Sequence, residues 1–448
     1  MKNKYVMYVL ITSLVLSMSS CVKPSNGTTE APLVNTPVIL ANTLSIASSG
    51  SFVDSQGIYH VVGEVVNNTS SALTSIELTI EIKDSDGNSL IKDNNGNAAP
   101  NAILYPMLYT LAPGEASPFE YSYATVAGTP ASFDVSITGQ VTGNANRAAL
   151  QAKNVQLVDD GSGRYYLTGK LVNTGSQWAH INGLAGAVLD DSGKVLSANS
   201  TATYATELAP AGDTNSRNQT PFEIEFPNPG GGTKWQLYMD ANIAENVVDY
   251  PLEIKVTNTY YDEYGSARIV GLMTNNSDKP LDSLVVAGLY SADGTALDAS
   301  YAFVPVPIKP GSNAPFSISS FNSVNFNPIQ AALVSTISTQ VDPWFTSPTS
   351  YEFVDLSVAG DTVEKNGATW VFNGNVNNTG TNSLSGITII AMVLNAQDTL
   401  VAMEYTTIYP SGDAIAAGES NPYSVAVYLD PKADTSSFTT TVVAVGDL

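Results

Sequence analysis

A short pattern occurs four times along the chain and limits the folds that this sequence can adopt. A glycine is followed four residues later by an asparagine, and the glycines lie 106, 102 and 103 residues apart. The four pairs are Gly63 with Asn67, Gly169 with Asn173, Gly271 with Asn275, and Gly374 with Asn378. Self-similarity at a fixed period predicts one structural unit that is repeated in series.

Two further landmarks follow each glycine in a fixed order. A turn signal comes 22 to 24 residues later, at Asp86-Gly87, Ser192-Gly193, Asp293-Gly294 and Gln397-Asp398. A proline next to an aromatic residue then follows, at Pro118-Phe119, Pro221-Phe222, Pro315-Phe316 and Pro422-Tyr423. Turns of this kind between alternating segments predict β-hairpins.

The segment before each turn signal has the hydrophobic pattern of a β-strand. In the first copy Ile76, Leu78, Ile80 and Ile82 alternate with polar residues, which predicts a strand with one buried face. The same segments of the later copies, 184–189, 284–290 and 387–394, are apolar on both faces. This pattern predicts strands that are covered on both sides.

About seven short strands fit into each unit, and no segment shows a sustained apolar stripe of helical period. We therefore predict an all-β protein, a tandem array of four immunoglobulin-like antiparallel β-sandwiches after an N-terminal signal segment and a flexible tether. The predicted limits are 1–20 for a lipoprotein-type signal peptide, 21–42 for the tether, and 43–143, 152–245, 251–341 and 350–448 for the sandwiches. The short linkers between sandwiches predict a semi-rigid string of domains.

The N-terminal residues carry the features of an export signal. Lys2 and Lys4 precede an apolar run over 5–18, which is too short to span a hydrocarbon core of about 30 Å. The segment ends in two serines and Cys21, and it resembles a prokaryotic lipoprotein signal. That resemblance implies a diacylated Cys21 and an extracytoplasmic protein anchored to the cell membrane, whereas cleavage without lipidation would release the chain. Cys21 is the only cysteine, so no intrachain disulfide can form and each unit must be held by packing.

The charge of the chain excludes several partners. It has 41 acidic and 18 basic residues, for a formal net charge of −23. Nucleic acid is not expected as a partner, because its binding needs clustered basic residues. An acidic body is also repelled by anionic headgroups, so the membrane is expected as a partner only through the N-terminal lipid.

The segment before the third turn also resembles a known domain family. Residues Ala287-Gly288-Leu289-Tyr290-Ser291 are similar to the motif of the FxLYD domain, a small β-sandwich of bacterial and archaeal surface proteins, with Ala for Phe and Ser for Asp. Residues 80–84, 186–190 and 391–395 occupy the same place with further changes. The resemblance implies an extracytoplasmic, non-catalytic module without an established general ligand.

Candidate catalytic groups are few. The chain has two histidines, His60 in a predicted edge strand and His180 in a predicted loop. The repeat does not preserve the first one, since its matching positions are Tyr166, Arg268 and Val371. Without a recognisable nucleophile–histidine arrangement, we predict no catalytic residue, no enzyme activity and no cofactor.

Most carboxylates fall in predicted turns, such as Asp84, Asp86 and Asp293. Two of them could form a glycosidase-type pair, but a hairpin turn explains the same residues. The loop after Asp84 lacks the glycine and glutamate of an EF-hand. Calcium between acidic turns stays open as an alternative, and no metal ligand is assigned.

Five aromatic residues in predicted loops or linkers are candidate ligand contacts: Trp178, Tyr260, Tyr261, Tyr264 and Trp344. Exposed rings bind sugars or partner proteins through stacking and apolar burial. The same rings could instead pack between domains, and the sequence leaves both interpretations open.

These features predict a non-catalytic, lipid-anchored surface protein, either a stalk or a binding array that contacts surface proteins or glycans. An accessory or solute-binding lipoprotein of an uptake system is the alternative, although that class has α/β lobes with long helices. A secreted glycan-active enzyme is a third interpretation.

Overall fold

The computed structural model describes residues 43–448 except 94, 125–127, 160, 215–216, 322–327, 351 and 411–413. The predicted signal, the tether and Cys21 lie outside the described residues. Within the described part the chain forms 28 strands, one short α-helix and one 3₁₀ helix, and every strand pairing is antiparallel. The all-β prediction is confirmed.

The first two strand groups share one topology. The first group, residues 44–142, contains β1 (Leu44–Val53), β2 (Ile58–Asn67), β3 (Leu73–Lys83), β4 (Ala102–Leu104), β5 (Thr110–Leu111), β6 (Ala116–Ala124) and β7 (Ser132–Thr142). The second group, residues 150–243, contains β8 (Leu150–Asp159), β9 (Arg164–Asn173), β10 (Ala179–Leu189), β11 (Val195–Thr201), β12 (Glu207–Leu208), β13 (Gln219–Pro227) and β14 (Lys234–Ile243). One sheet has the order β1-β2-β6 in the first group and β8-β9-β13 in the second. The other sheet is centred on β3 in the first group and on β10 in the second.

The third group, residues 252–348, repeats the two sheets as β15-β16-β20 and β19-β18-β21. It contains β15 (Leu252–Tyr261), β16 (Ala267–Asn275), β17 (Leu281–Asp282), β18 (Leu284–Tyr290), β19 (Ala296–Phe303), β20 (Asn313–Ile318), α1 (Pro328–Leu333), β21 (Thr336–Val341), the 3₁₀ helix (Pro343–Phe345) and β22 (Ser347–Pro348). Strands β17 and β22 pair with each other.

The fourth group, residues 353–447, joins its two sheets through one long strand. It contains β23 (Phe353–Asn366), β24 (Thr369–Asn377), β25 (Gly386–Leu394), β26 (Leu400–Ile408), β27 (Ser420–Tyr428) and β28 (Thr439–Asp447). The first residues of β23 pair with β28 and the later ones with β24, which gives the path β26-β25-β28-β23-β24-β27. The predicted limits of four separate domains stay a prediction.

The repeated glycine is explained by the aromatic residue of the third landmark. Gly271 on β16 lies directly opposite Phe316 on β20. A Cβ atom at Gly271 would lie 2.5 Å from the Phe316 ring and 2.6 Å from the carbonyl oxygen of Lys255. The same cross-strand pairs are Gly63 with Phe119, Gly169 with Phe222, and Gly374 with Tyr423. Glycine is required because the ring packs against its backbone.

The repeated asparagine holds the loop after this strand. Asn275 is fully buried, and its amide nitrogen donates to the carbonyl oxygens of Lys279 and Ile308 at 2.7 Å each. Its side-chain oxygen accepts from the Ser277 backbone N–H at 2.9 Å. The other three make the same kind of bonds: Asn67, Asn173 and Asn378. Buried polar atoms need such partners, so the residue type is fixed.

Neighbouring groups pack against each other through their sheets. Every residue of β18 is buried. Val285 and Leu289 belong to the apolar core of the third group, whereas Leu284 and Val286 belong to the core of the second group. The strand is therefore covered on both faces, as its sequence predicts.

The other two interfaces have the same arrangement. Ala185 and Leu189 of β10 join the core of the first group, and Tyr260 and Val270 of the third group join the core of the fourth. At each interface an edge strand of the later group, β11, β19 or β26, contacts the three-stranded sheet of the group before it. The groups lie side by side, in contrast to the string of domains that the linkers predict.

Within the residues that the structure describes, no group precedes the first one, and its β3 is different. The outward positions of β3 are polar, and among them Glu81 and Lys83 are about two-fifths exposed and form an ion pair at 2.6 Å. At the other end of the chain, the outward positions of β24 include Asn373 and the exposed Asn375. Polar outer faces at the two ends are typical of arrays whose repeats stack on their neighbours.

Candidate functional site

The structure separates the five predicted contact residues. Tyr260 is only 6% exposed, and its hydroxyl donates to the Tyr428 carbonyl oxygen at 2.6 Å across the third interface. Tyr261 is half-buried and donates to Ala331. Tyr260 therefore packs between groups, which is the alternative that the sequence left open.

Two of the other three predicted residues are well exposed. Tyr264 is 60% exposed and lies edge-on to the Tyr428 ring, and Trp344 is 57% exposed. Trp178 is half-buried and lies 5.7 Å from the guanidinium of Arg217. Tyr264 lies at the third interface and Trp344 at the second, whereas Trp178 contacts Arg217 of its own group, so these rings do not form one site.

One of them borders a continuous set of rings between the second and third groups. Tyr204 lies 6.2 Å from Tyr301, Tyr301 lies 6.1 Å from Phe303, and Phe303 lies 6.0 Å from Phe345. Tyr301, Phe303 and Phe345 are 48%, 51% and 42% exposed. Together with Trp344 we name these residues the aromatic ridge. All of its rings except that of Tyr204, which is half-buried, are exposed, and exposed apolar surface of this kind usually marks a binding site in a soluble protein.

Strand alternation places two of the ridge residues. Tyr301 and Phe303 lie at the end of β19, an edge strand, opposite Val286 and Leu284 on the outward face of the third group. Ala302 between them faces the core of its own group. The hairpin and the period of two therefore fix where both rings point.

A buried carboxylate fixes the rest of the ridge. Asp342 has no exposed surface and accepts backbone N–H bonds from Thr206 at 2.7 Å, Glu207 at 3.3 Å and Trp344 at 3.1 Å. It begins the 3₁₀ helix that carries Trp344 and Phe345. Burial raises the pKa of Asp342, although the backbone N–H donors oppose that shift. The segment expected to be a linker is thus ordered against the second group.

A buried aspartate with the same role lies at the first interface. Asp240 on β14 has the position of Asp342 relative to its sheet, and it is 1% exposed. It accepts the backbone N–H of Thr110 in the first group at 3.1 Å. Arg147, in a second expected linker, pairs with both Asp240 and Glu115. Each of these aspartates ties a sheet to the main chain of the preceding group.

The two histidines are placed differently from the sequence prediction. His60 lies on β2, the central strand of its sheet, and is 4% exposed. Its ring nitrogens lie 2.7 Å from Glu120 and 3.2 Å from Asp54. Burial disfavours the charged ring, but the hydrogen bonds and charges of Glu120 and Asp54 outweigh burial and raise the pKa of His60. Arg268 binds Asp262 at the matching position of the third group, so this position carries a basic residue paired with an aspartate in two of the four groups.

His180 lies in strand β10, where the sequence predicted a loop, because β10 begins one residue after Trp178. Its ring lies 4.4 Å from that of Trp344, and its Nδ1 lies 3.6 Å from Glu207. His180 therefore supports the aromatic ridge from the second group.

The carboxylates of the acidic turns accept hydrogen bonds from the backbone of the same turn. The Asp84 carboxylate accepts the N–H groups of Asp86 and Asn88 at 2.9 Å each, and bonds from Asn88 hold the pKa of Asp84 below its usual value. Within the described ranges no three His, Cys, Asp or Glu side chains are grouped so that they could hold a metal ion. None of the described helices is long and apolar enough to cross a membrane.

Comparisons with known proteins do not identify a family. No protein-family model matches the chain, and no curated protein matches it. Solved structures to which the chain is similar include a transglutaminase, a β-glucuronidase and an α-2-macroglobulin. Red sea bream transglutaminase is 12% identical over 41% of this chain (TM-score 0.14), and a β-glucuronidase of glycoside hydrolase family 2 is 11% identical over 58% (TM-score 0.14). Elastase-activated Escherichia coli α-2-macroglobulin is 9% identical over 90% (TM-score 0.13). The chain spans 27%, 27% and 44% of the lengths of these proteins.

Tyr204, Tyr301 and Phe303 were not among the residues predicted from the sequence. One signal could have found the last two: they alternate with Ala302 at the end of a predicted strand. The alternation shows that both rings lie on one face of the strand, and by itself it does not tell which face is outward. Nothing in the sequence places Tyr204 beside them, since it comes from another group.

Proposed function

We propose that this protein is a non-catalytic, lipid-anchored extracytoplasmic surface protein. Its four immunoglobulin-like modules pack side by side into one array, and the array contacts proteins or glycans through exposed aromatic residues. The aromatic ridge is the observation that carries this proposal. Rings of this kind contribute large contact areas at low entropic cost, and they are enriched at binding surfaces.

The arrangement of the ridge supports a binding role. Its rings come from two strand groups, and Asp342, which is buried, fixes two of them. A surface that is held in place before binding loses little conformational freedom when a partner docks. The N-terminal lipid at Cys21 would keep this surface next to the membrane.

Uptake of a small solute is supported less well. A cavity of about 250 Å³ lies in the third group, between Tyr261, Ile269 and Ile337, and another of about 200 Å³ lies at the third interface. Pockets for drug-sized ligands are about 300–1,000 Å³. The aromatic ridge is therefore the stronger candidate for contact with a ligand.

Two experiments test the proposal separately. Fractionation of cells that express the full chain should place the protein with membranes, and the Cys21→Ser variant should be released. Retention of that variant in the membrane fraction would contradict the lipid anchor.

The second experiment measures binding. The soluble Cys21→Ser chain is immobilised and exposed to isolated surface polysaccharides and to purified secreted proteins. Specific retention that falls in the Tyr301→Ala, Phe303→Ala variant is expected. If nothing is retained, or if the variant retains the same partners equally well, the binding function is wrong.

A further inference from the structure

Exposed rings like those of the ridge recur at equivalent places in other strand groups. Tyr301 is the residue of β19 that pairs with Val286 on the outward face of its sheet. In the fourth group Tyr405 pairs with Ile390 at the same register, and it is 45% exposed. Tyr409 follows four residues later and is 76% exposed.

The first group has the same feature in a shorter strand. Ile103 on β4 pairs with Thr79 at this register and is 55% exposed. Tyr105 and Tyr109 follow, with exposures of 60% and 67%. The second group differs, because Ser200 occupies the equivalent position on β11. There the nearest ring is Tyr204, which belongs to the ridge.

We name the full set the aromatic edge. It comprises nine aromatic residues and the aliphatic Ile103, all exposed except the half-buried Tyr204: Ile103, Tyr105, Tyr109, Tyr204, Tyr301, Phe303, Trp344, Phe345, Tyr405 and Tyr409. Strand β19, which carries Tyr301 and Phe303, also contacts the second group. Because this contact is repeated at each interface, the rings follow one another in a regular order along the array.

We propose that the aromatic edge binds a neutral polysaccharide chain, with rings of the first, third and fourth groups each packing against a sugar of the same chain. This inference rests on the proposed function and specifies its ligand. The apolar C–H face of a pyranose ring packs on an exposed aromatic face, and the hydroxyl groups stay in water.

The negative net charge of the protein argues against an anionic polysaccharide as the ligand. The body has 41 acidic residues and few basic ones. Burial raises the pKa of Tyr204 well above its usual value, and the charges of Glu223 and Asp298 raise it further, so two carboxylates act on this end of the ridge. An anionic polysaccharide would be repelled here, whereas a neutral one is indifferent to this field.

The spacing of the rings favours a polymer over a folded protein. A stable protein interface needs about 800 Å² of continuous surface on each partner. The aromatic edge instead consists of separate clusters on the first, third and fourth groups, with Ser200 and other polar residues of the second group between them. A chain molecule can reach separate clusters at once, and their weak contacts then act together.

Native gel electrophoresis in gels that contain a polysaccharide tests the inference on the full Cys21→Ser chain. The gels contain a mixed-linkage β-glucan, galactomannan or dextran as neutral polymers, and alginate or polygalacturonate as anionic ones. We expect at least one neutral polymer to retard the protein and both anionic ones to leave its mobility unchanged. Retardation by no neutral polymer, or equal retardation by an anionic one, overturns the inference.

Substitutions locate the binding surface. Loss of one cluster, in Tyr301→Ala with Phe303→Ala or in Tyr405→Ala with Tyr409→Ala, should weaken retardation about 2- to 10-fold. Loss of both clusters should weaken it by about the product of the two factors. All four side chains are about half exposed or more, so the fold is kept.

Tyr264→Ala is the matched control, because Tyr264 is exposed but lies outside the aromatic edge. If this control weakens retardation as much as the edge variants do, or if the edge variants bind normally, the inference is wrong. If the chain binds no neutral polymer but binds a protein partner, and the edge variants lose that partner, the polysaccharide inference is wrong and the proposed function still holds.

Discussion

The repeated asparagine offers the sharpest test of how each strand group is held together. In the third group Asn275 has no exposed surface, donates two hydrogen bonds to carbonyl oxygens and accepts two from Ser277. Asn275→Asp keeps the size and the accepting oxygen, but it replaces the donating nitrogen with an oxygen. That oxygen would face the carbonyl oxygens of Lys279 and Ile308.

The magnitude follows from the bonds that are lost. Each hydrogen bond contributes about 1 kcal/mol net, and each buried group without a partner costs about 1–3 kcal/mol more. The two lost bonds therefore cost about 2 kcal/mol, and the new buried oxygen, which has no donor, costs about 1–3 kcal/mol more. Together they lower the free energy of unfolding by about 3–5 kcal/mol. This is a large part of the ~5–15 kcal/mol that stabilises a typical domain.

Hydrogen exchange of the full chain at increasing urea concentration measures this loss group by group. Peptides from 252–348 should lose protection at a lower urea concentration in Asn275→Asp than in the wild type. Peptides from 150–243 should shift less, because they contact the third group only at the interface between the two groups. Peptides from 44–142 should be unchanged.

The control is Asn276→Asp, one residue further on, where the side chain is exposed. It should change the unfolding free energy by no more than about 0.5 kcal/mol. If Asn275→Asp behaves like Asn276→Asp, the buried amide does not hold the loop, and our explanation of the repeated motif is refuted.

Three other predictions use the same chain. Gly271→Ala should destabilise the third group by about 1–3 kcal/mol, because its Cβ would overlap the opposite ring; Gly386→Ala, whose Cβ would meet nothing closer than 3.6 Å, should be near neutral in the same thermal unfolding assay. Asp342→Ala should speed amide exchange at 204–207 and 342–346 by removing the acceptor of three N–H groups; equal exchange in the variant would contradict its role. Because the pKa of His60 is raised, the stability that protonated His60 contributes is full below about pH 6.5 and is lost as pH rises through the raised pKa. The difference in melting temperature between the wild type and His60→Gln should therefore fall from pH 6 to pH 8.5. A constant difference would refute this.

Several elements of the fold could be predicted from the sequence because they depend on local pattern. The alternation over 76–82 and the apolar run over 284–290 correctly distinguished a strand with one buried face from a strand with two. The glycine and asparagine of each repeat were visible as a pattern. Their physical reasons were not, because the opposite ring and the distant carbonyl groups come from other parts of the chain.

The interfaces between groups could not be predicted in this way. The residues over 342–348 have the composition of a linker, but Asp342 forms bonds to Thr206 and Glu207 of the preceding group. A sequence shows the composition of such a segment and not its long-range partners. Most of the aromatic ridge was missed for the same reason, since its rings meet only when two groups pack together.

The polar outward face of β3 has a consequence for how such an array can change in length. A further copy added in front of the first group by gene duplication would have to bury Glu81 and Lys83. New copies can be accommodated only between existing groups, where the outward strand is already apolar, as at Val286. The same reasoning makes the first group a poor candidate for excision, because its loss would expose Ala185 and Leu189 of the second group, which it now covers.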